Sequence, residues 1–426
     1  MSKVLIAGIG TGRTKKEKGQ DTQLRQYEPA NYIIDSKEYQ TDFVARALIK
    51  HYQPDQVILL GTARSMWEKV YETFANEFCE EYYWNLVEKI EKSTYNNYQL
   101  QNTDLEKVNE VLNQFLGHSG SRCLLIKYGL NDDELCQNMA VFQDIAGYLQ
   151  SGDQVYLDIT HSFRSLALFQ YTMMSFIENL SKKQVEVKGV FYGMLEVARE
   201  MDGKAPVIDL QYVYRLNNWI KAIHELESYG NGYLVANLVE PENRDIAKKI
   251  RMFSDLMNLN YIGGIKNIEG SLSKLDFSNI SEPGKTVAGY LEDFLKRFAE
   301  IKQDSVFQLK MAQWYFANKR YGFGYIALAE SIITRICEVL DLETTYRKQD
   351  REYAKDCLYN SRTSELVRDL KQEYNTISDI RNNVAHALTD RDEKNFMADI
   401  QNYQRRCDKV AQAFKRLGQQ DFSRRA

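Results

Sequence analysis

Residues 155–165 read Val155-Tyr156-Leu157-Asp158-Ile159-Thr160-His161-Ser162-Phe163-Arg164-Ser165, and the way this stretch divides decides the fold. Residues 155–159 form a short apolar run of the kind a strand buried on both faces requires, and residues 163–180 continue with apolar side chains at helical spacing. A strand that passes through a compact polar loop straight into a helix is the leading half of a βαβ unit, and βαβ units build a parallel sheet with helices on both faces. The same alternation fills the first 210 residues. Strands are expected at 3–8, 56–60, 123–126 and 185–192, and helices at 43–52, 66–78 and 136–149. Residues 197–214 are expected to turn at Asp202-Gly203 into a terminal hairpin. The polar, helix-patterned residues 79–118 read as an insertion.

Beyond residue 212 the strand signals cease. No proline follows Pro283, and apolar residues recur at helical spacing over 216–240, 287–301, 305–318, 324–342, 364–377 and 392–417. The expectation is an α/β domain over 1–212 followed by an all-α domain over 213–426. With 44% hydrophobic residues, 28 Tyr and 19 Phe in 426 residues, both halves have ample core material, which excludes disorder as the main state. Six scattered cysteines without a CxxC pair suggest neither a disulfide framework nor a zinc knuckle, and five separated histidines argue against a histidine metal site. No run approaches a membrane span and no signal peptide opens the chain, so a cytoplasmic location is expected.

Ligands of open α/β sheets bind beyond the C-terminal ends of strands, and three strand-end loops here are rich in small polar residues. Gly8-Ile9-Gly10-Thr11-Gly12-Arg13 is half of a dinucleotide fingerprint, but Arg13 stands where GxGxxG needs its last glycine. A loop presenting N–H groups to phosphates fits better. Gly61-Thr62-Ala63-Arg64-Ser65 enters a helix, where Thr62 or Ser65 serves either as a helix cap or, with Arg64 beside it, as part of a ligand site. The third loop gathers Asp158, Thr160, His161, Ser162 and Arg164 at one strand end. Two hydroxyls, an imidazole, a carboxylate and a guanidinium exceed what capping needs and suit a polar, phosphorylated ligand.

Asp158-Ile159-Thr160-His161-Ser162-Phe163-Arg164 resembles the D-x-T-H-x-x-R signature of the CRISPR-associated Rossmann-fold (CARF) sensors of type III CRISPR systems. The loops containing Gly10, Thr11, Gly12 and Arg13, and Thr62, Arg64 and Ser65, fall where that family lines its pocket. The resemblance covers roughly residues 1–212, although the segment 79–118 has no counterpart role. It implies a Rossmann-like domain that binds a cyclic oligoadenylate across the two-fold axis of a homodimer or higher oligomer. Cyclic tetra-adenylate is the activator implied, ahead of the hexa-adenylate, with no other cofactor.

In the helical half, Arg381-Asn382-Asn383-Val384-Ala385-His386 matches the R-x4-6-H signature of HEPN ribonucleases, including a polar residue directly after the arginine. Five residues of helix turn through about 140° and rise about 7.5 Å, so the two side chains flank a groove instead of sharing a face. Two facing copies would complete such a site. The segment from Leu216 to Ile223, followed by Ser228-Tyr229-Gly230, resembles the opening of the helical half of CARF–HEPN proteins.

The pairing implies a metal-independent endoribonuclease acting on single-stranded RNA. His386 is the proton-transfer candidate, because imidazole titrates near neutrality. Arg381 is the permanent cation for a crowded phosphate, and Asn382 orients. The products expected are a 2′,3′-cyclic phosphate and a 5′-hydroxyl. Further readings are a sensor that slowly cleaves its own activator and, in another class, a ligand-sensing regulator whose helical domain dimerises and is catalytically silent. A net charge of −4 argues mildly against nucleic acid until it is divided. Residues 1–210 hold 22 basic and 29 acidic side chains and residues 211–426 hold 33 and 30, so the helical half is basic and compatible with RNA contact.

Overall fold

The computed structural model describes residues 1–14, 25–27, 29–180, 182–272, 274–298, 301–360, 363–386 and 396–422. The chain divides into two compact units, Met1–Asn217 and Asn218–Ala426.

Among the described residues, the first unit holds ten strands: β1 (Lys3–Ile9), β2 (Arg13–Thr14), β3 (Arg25–Gln26), β4 (Ala30–Ile34), β5 (Lys37–Thr41), β6 (Gln56–Gly61), β7 (Arg122–Leu125), β8 (Gln154–Asp158), β9 (Glu186–Gly193) and β10 (Lys204–Asp209). Eight of them form one sheet in the order β5-β4-β10-β9-β8-β1-β6-β7, while β2 and β3 pair separately. The five strands from β9 to β7 are parallel. β10 runs antiparallel to β9, and β4 and β5 form an antiparallel hairpin at one edge. Period-2 alternation sends Val4 and Ile6 to one face and Leu5, Ala7 and Ile9 to the other, and each face is covered by its own apolar core. The covering helices are α1 (Val44–Tyr52), α2 (Trp67–Phe74), α3 (Glu80–Lys92), α4 (Glu106–Leu116), α5 (Asp132–Tyr148) and α6 (Arg164–Leu180).

Two expectations change in this unit, and one element is added. The segment 197–214 is not a hairpin by itself: residues Leu195–Glu200 are a 3-10 helix, and after the turn at Asp202 (φ 51°) and Gly203 (φ 81°) β10 pairs with β9. The segment 79–118 is no appendage. It forms α3 and α4 of the crossover between the parallel neighbours β6 and β7, and buries Leu86, Ile90, Val108 and Leu112 in the core on one face of the sheet. The hairpin of β4 and β5 went unread, because its turn is made by Asp35 and Ser36 at φ 47° and 66° without a glycine.

The second unit is helical: α7 (Gln211–Tyr229, whose first residues belong to the first unit), α8 (Tyr233–Val239), α9 (Arg244–Asn258), α10 (Ile262–Leu272), α11 (Glu282–Lys296), α12 (Asp304–Ala317), α13 (Tyr321–Val339), α14 (Lys348–Tyr359), α15 (Glu365–Ala385) and α16 (Phe396–Arg416). The single helix expected over 216–240 breaks at Gly230, which takes φ 66° where a Cβ would meet Met257 at 2.6 Å. Helices α9, α10 and α14 went unread. One continuous core runs through the unit, with the fully buried Tyr315, Phe316, Tyr325 and Leu328 on α12 and α13. Among the described residues, no helix is long and apolar enough to cross a membrane.

Candidate functional site

Within the parallel part of the sheet, β6 and β7 follow β1 on one side and β8 and β9 lie on its other side. Such a reversal opens a crevice beyond the strand ends, and a cavity of about 710 Å³ lies there. Gly10, Thr11 and Gly12 from the end of β1 line it, as do Thr160, His161, Ser162 and Phe163 from the loop after β8. Tyr27 and Pro29 contribute another side, and Tyr192, Glu196 and Arg199 a third.

The loop after β8 is built on hydrogen bonds and on missing side chains. Asp158, fully buried, accepts the N–H of Thr160 at 2.9 Å and its hydroxyl at 2.5 Å. Thr160 Oγ1 in turn accepts the N–H of Gly193 at 2.9 Å, so the loop is fastened to the end of the neighbouring β9. Burial pushes the Asp158 carboxyl up to about 6, with the two Thr160 bonds pulling the other way. Ser162 Oγ donates to Oε1 of the fully buried Gln170 at 2.9 Å. A Cβ on Gly8 would stand 1.7 Å from Ser162 Oγ, and one on Gly10 would stand 2.3 Å from the His161 carbonyl oxygen. Both glycines are therefore required for the loop to lie against β1. Tyr27 closes the other side of Gly10, accepting its N–H and donating to its C=O, each at 3.0 Å.

His161 is packed against Tyr27 and Phe43, with ring centroids 4.3 and 5.8 Å away. Its Nε2 accepts the N–H of Val44, the first residue of α1, at 3.3 Å. Burial holds its pKa down to about 4 against the pull of Asp42. The ring is thus a neutral, positioned group, not a proton reservoir at neutral pH.

Several residues expected in the site lie elsewhere. Thr62 and Ser65 are buried and satisfy each other: Ser65 Oγ accepts the N–H of Thr62 at 2.9 Å and donates to the Ile9 C=O at 2.7 Å. Their loop braces β1 from the side and does not line the cavity, nor does either residue cap α2, which starts on Met66 without a side-chain cap. Arg64 is exposed beside it, and Arg164, exposed at the first residue of α6, is also outside the lining. Asp158 supports the loop from below. The Arg13 side chain lies outside the described residues. Sequence reasoning missed Tyr27, Phe163, Tyr192, Glu196 and Arg199. A hint was available only for Tyr192, an aromatic residue at a strand end.

In the helical unit, α15 begins on Ser364, whose hydroxyl accepts the Val367 N–H at 3.3 Å, and it buries Val367, Leu370, Tyr374 and Ile377. Arg381 follows Ile377 by one turn and stays on the inner side, with Nη2 3.8 Å from Glu330 Oε1 on α13. Glu330 also accepts from Arg351 of α14, which bonds Thr334 Oγ1 at 3.0 Å as well. Asn382 is half-buried, and His386 caps the C-terminal end of α15 with its side chain exposed. Among the described residues, no hydrogen bond or ion pair joins Arg381 to His386. No cluster of three His, Cys, Asp or Glu side chains among them is placed to hold a metal.

Residues 4–196, which contain the strand-end loops and most of the cavity lining, match the family described as CRISPR system endoribonuclease Csx1, CARF domain. The first unit carries a CARF domain. Residues 215–305 of this CARF protein match the second domain of CRISPR-associated protein MJ1674. That protein, from Methanocaldococcus jannaschii, is 36% identical over 407 residues, covering 91% of this chain and 62% of the relative. The CARF chain therefore spans about three-fifths of the length of the curated relative it matches. A structure of Enterococcus italicus Csm6 bound to cyclic hexa-2′-fluoro-hexa-dAMP is 12% identical, covers 99% of this chain and 96% of its own, and superposes with a TM-score of 0.38. The Arg381–His386 segment of the CARF protein lies beyond both matched spans.

Proposed function

We propose that the chain is a cyclic oligoadenylate-activated endoribonuclease of type III CRISPR antiviral defence, with cyclic tetra-adenylate as activator and single-stranded RNA as substrate. The observation that carries this reading is the cavity at the β1/β8 reversal, built by Gly10–Gly12 and Thr160–Ser162 inside a CARF match of the Csx1 endoribonuclease type. The Thr11 hydroxyl and the N–H groups of the loop after β1 beyond Gly10 suit phosphodiesters, while the Thr160 and Ser162 hydroxyls are donated to Asp158 and Gln170 and shape the wall, and the aromatic rings of Tyr27, Phe163 and Tyr192 suit bases. Residues 1–212 act as the sensor, and 213–426 as helical linker and HEPN ribonuclease.

The protein works in this reading as a homodimer in the cytoplasm. An exposed ridge on α6, formed by Leu168, Phe176 and Leu180, supports pairing of sensors, because apolar ridges of this kind mark association surfaces. In the HEPN dimer, Arg381 balances charge building on the scissile phosphate, while His386 moves the proton between the ribose 2′-OH and the departing 5′-oxygen. Asn382 orients the phosphate. The cut leaves a 2′,3′-cyclic phosphate and needs no metal.

The test is cleavage of a labelled single-stranded RNA with and without cyclic tetra-adenylate. Stimulated cleavage, lost in His386→Ala while the ring still binds, is the expected result. Full activity without the ring defeats the switch, and ring binding without any cleavage favours a sensor whose helical domain only dimerises.

A further inference from the structure

The cavity has an unusual charge inventory. Arg199 is the only Lys or Arg, and Glu196 the only Asp or Glu, among the described residues that line it. His161 brings no charge, because its Nε2 is already an acceptor for Val44. Both charged residues lie on the 3-10 helix Leu195–Glu200 between β9 and β10. A 3-10 helix has three residues per turn, so positions three apart eclipse one another, and Glu196 and Arg199 present one face to the cavity.

Their hydrogen bonding sets them apart. Glu196 Oε1 accepts the hydroxyl of Tyr192 at 2.5 Å, which orients the carboxylate from the end of β9. Arg199 is exposed, and among the described residues no ion pair joins it to Glu196 or to any other acid. An arginine left unpaired three residues from a carboxylate that is held by a tyrosine leaves its fork of donors available.

Resting on the oligoadenylate reading above, we infer that Arg199 and Glu196 sort ligands by phosphate charge, Arg199 binding a phosphodiester and Glu196 rejecting a terminal phosphomonoester. A phosphodiester carries one negative charge, which a single guanidinium balances. A terminal phosphate carries close to two at neutral pH, and the second meets the Glu196 carboxylate. Discrimination then comes from a repulsive group, which is how a site rejects a competitor that offers every contact of the right ligand. A ring has no ends, so the pair favours cyclic over end-phosphorylated linear adenylates.

The experiment titrates the full-length protein with cyclic tetra-adenylate and with two linear tetra-adenylates, one ending in a 3′-hydroxyl and one in a 3′-phosphate, at two salt concentrations. Arg199→Ala removes one guanidinium from each protomer and is expected to weaken ring binding about a hundredfold, about tenfold for each charge-assisted contact. It should also lower the slope of log affinity against log salt by about two, one for each protomer, and Arg199→Lys should restore that slope. The native protein is expected to prefer the 3′-hydroxyl over the 3′-phosphate about fivefold, the scale of one exposed like-charge contact, and Glu196→Gln should abolish that preference. Ring binding unchanged in Arg199→Ala, or a phosphate preference unchanged in Glu196→Gln, overturns the assignment and leaves the oligoadenylate reading standing. A native protein that binds none of the three adenylates overturns both.

Discussion

His161 Nε2 lies 3.3 Å from the backbone nitrogen of Val44, so an imidazole from the loop after β8 closes the first turn of α1. The helix has no side-chain cap of its own on Phe43, and its leading N–H groups need acceptors. The histidine that sequence alone marks as a ligand group is thus a structural joint between two elements, and its burial there keeps the ring neutral.

Stability should depend on pH through two opposing groups. Between about pH 4 and 6.5 the unfolded chain takes up the His161 proton and the native chain does not, so this group adds stability as pH rises. Between 3.8 and about 6 the native chain holds the Asp158 proton and the unfolded chain does not, so this group removes stability as pH rises. The two contributions offset one another in the native protein. Asp158→Asn removes the second, and its urea midpoint should climb more steeply with pH over this window than that of the native protein. Parallel profiles would contradict the assignment.

Gly8→Ala and Gly10→Ala should both destabilise the first unit, by about 1–3 kcal/mol as overpacking does, but only one should be rescued. The Cβ at Gly8 meets the Ser162 hydroxyl, so adding Ser162→Ala should recover part of the loss. The Cβ at Gly10 meets the His161 carbonyl oxygen, which no side-chain change removes. A double-mutant cycle read by thermal unfolding separates the two.

Tyr27→Phe keeps the ring against His161 and deletes both hydrogen bonds to Gly10. About 1 kcal/mol of stability should go with them. Adenylate affinity should fall as well, because the loop that presents Gly10–Gly12 to the cavity loses its outer support. Titration and urea unfolding of the same variant measure the two effects.

Arg381 and Glu330 should separate catalysis from stability. Arg381→Ala removes a 3.8 Å ion pair of a partly exposed side chain, worth little to folding, yet RNA cleavage should drop by about a hundredfold or more. Glu330→Ala also strips Arg351 of its carboxylate, and should cost about 1–3 kcal/mol of stability. Thermal unfolding beside a cleavage assay distinguishes them.

The strand, loop and helix of residues 154–180 were legible in the sequence because a buried parallel strand is apolar throughout and a covering helix is apolar every third or fourth residue. The cavity loops were legible for the same reason: polar residues stand out between apolar elements. Polarity alone, however, does not tell a group facing a ligand from one facing another loop. Thr62 and Ser65 look like ligand residues and instead bond each other and Ile9. Glu196 and Arg199 look like ordinary surface charges, and only the 3-10 turn and the antiparallel return of β10 bring them to the cavity. The hairpin of β4 and β5 was hidden because Lys37-Glu38-Tyr39-Gln40-Thr41 lacks an apolar face. In the helical unit, spacing singles out Arg381 and His386 as candidates, while the contact of Arg381 with Glu330 depends on the approach of α13 and α15, which no local pattern encodes.

The two rims of the eight-stranded sheet bear on solubility and on assembly. One rim, β7, is only four residues long, and the other, β5, exposes Lys37, Glu38 and Gln40. Short or charged rims refuse to template a neighbouring strand. A second copy therefore finds no sheet to extend, misfolded edge-to-edge stacking is discouraged, and any self-association of the first unit falls to its helix faces.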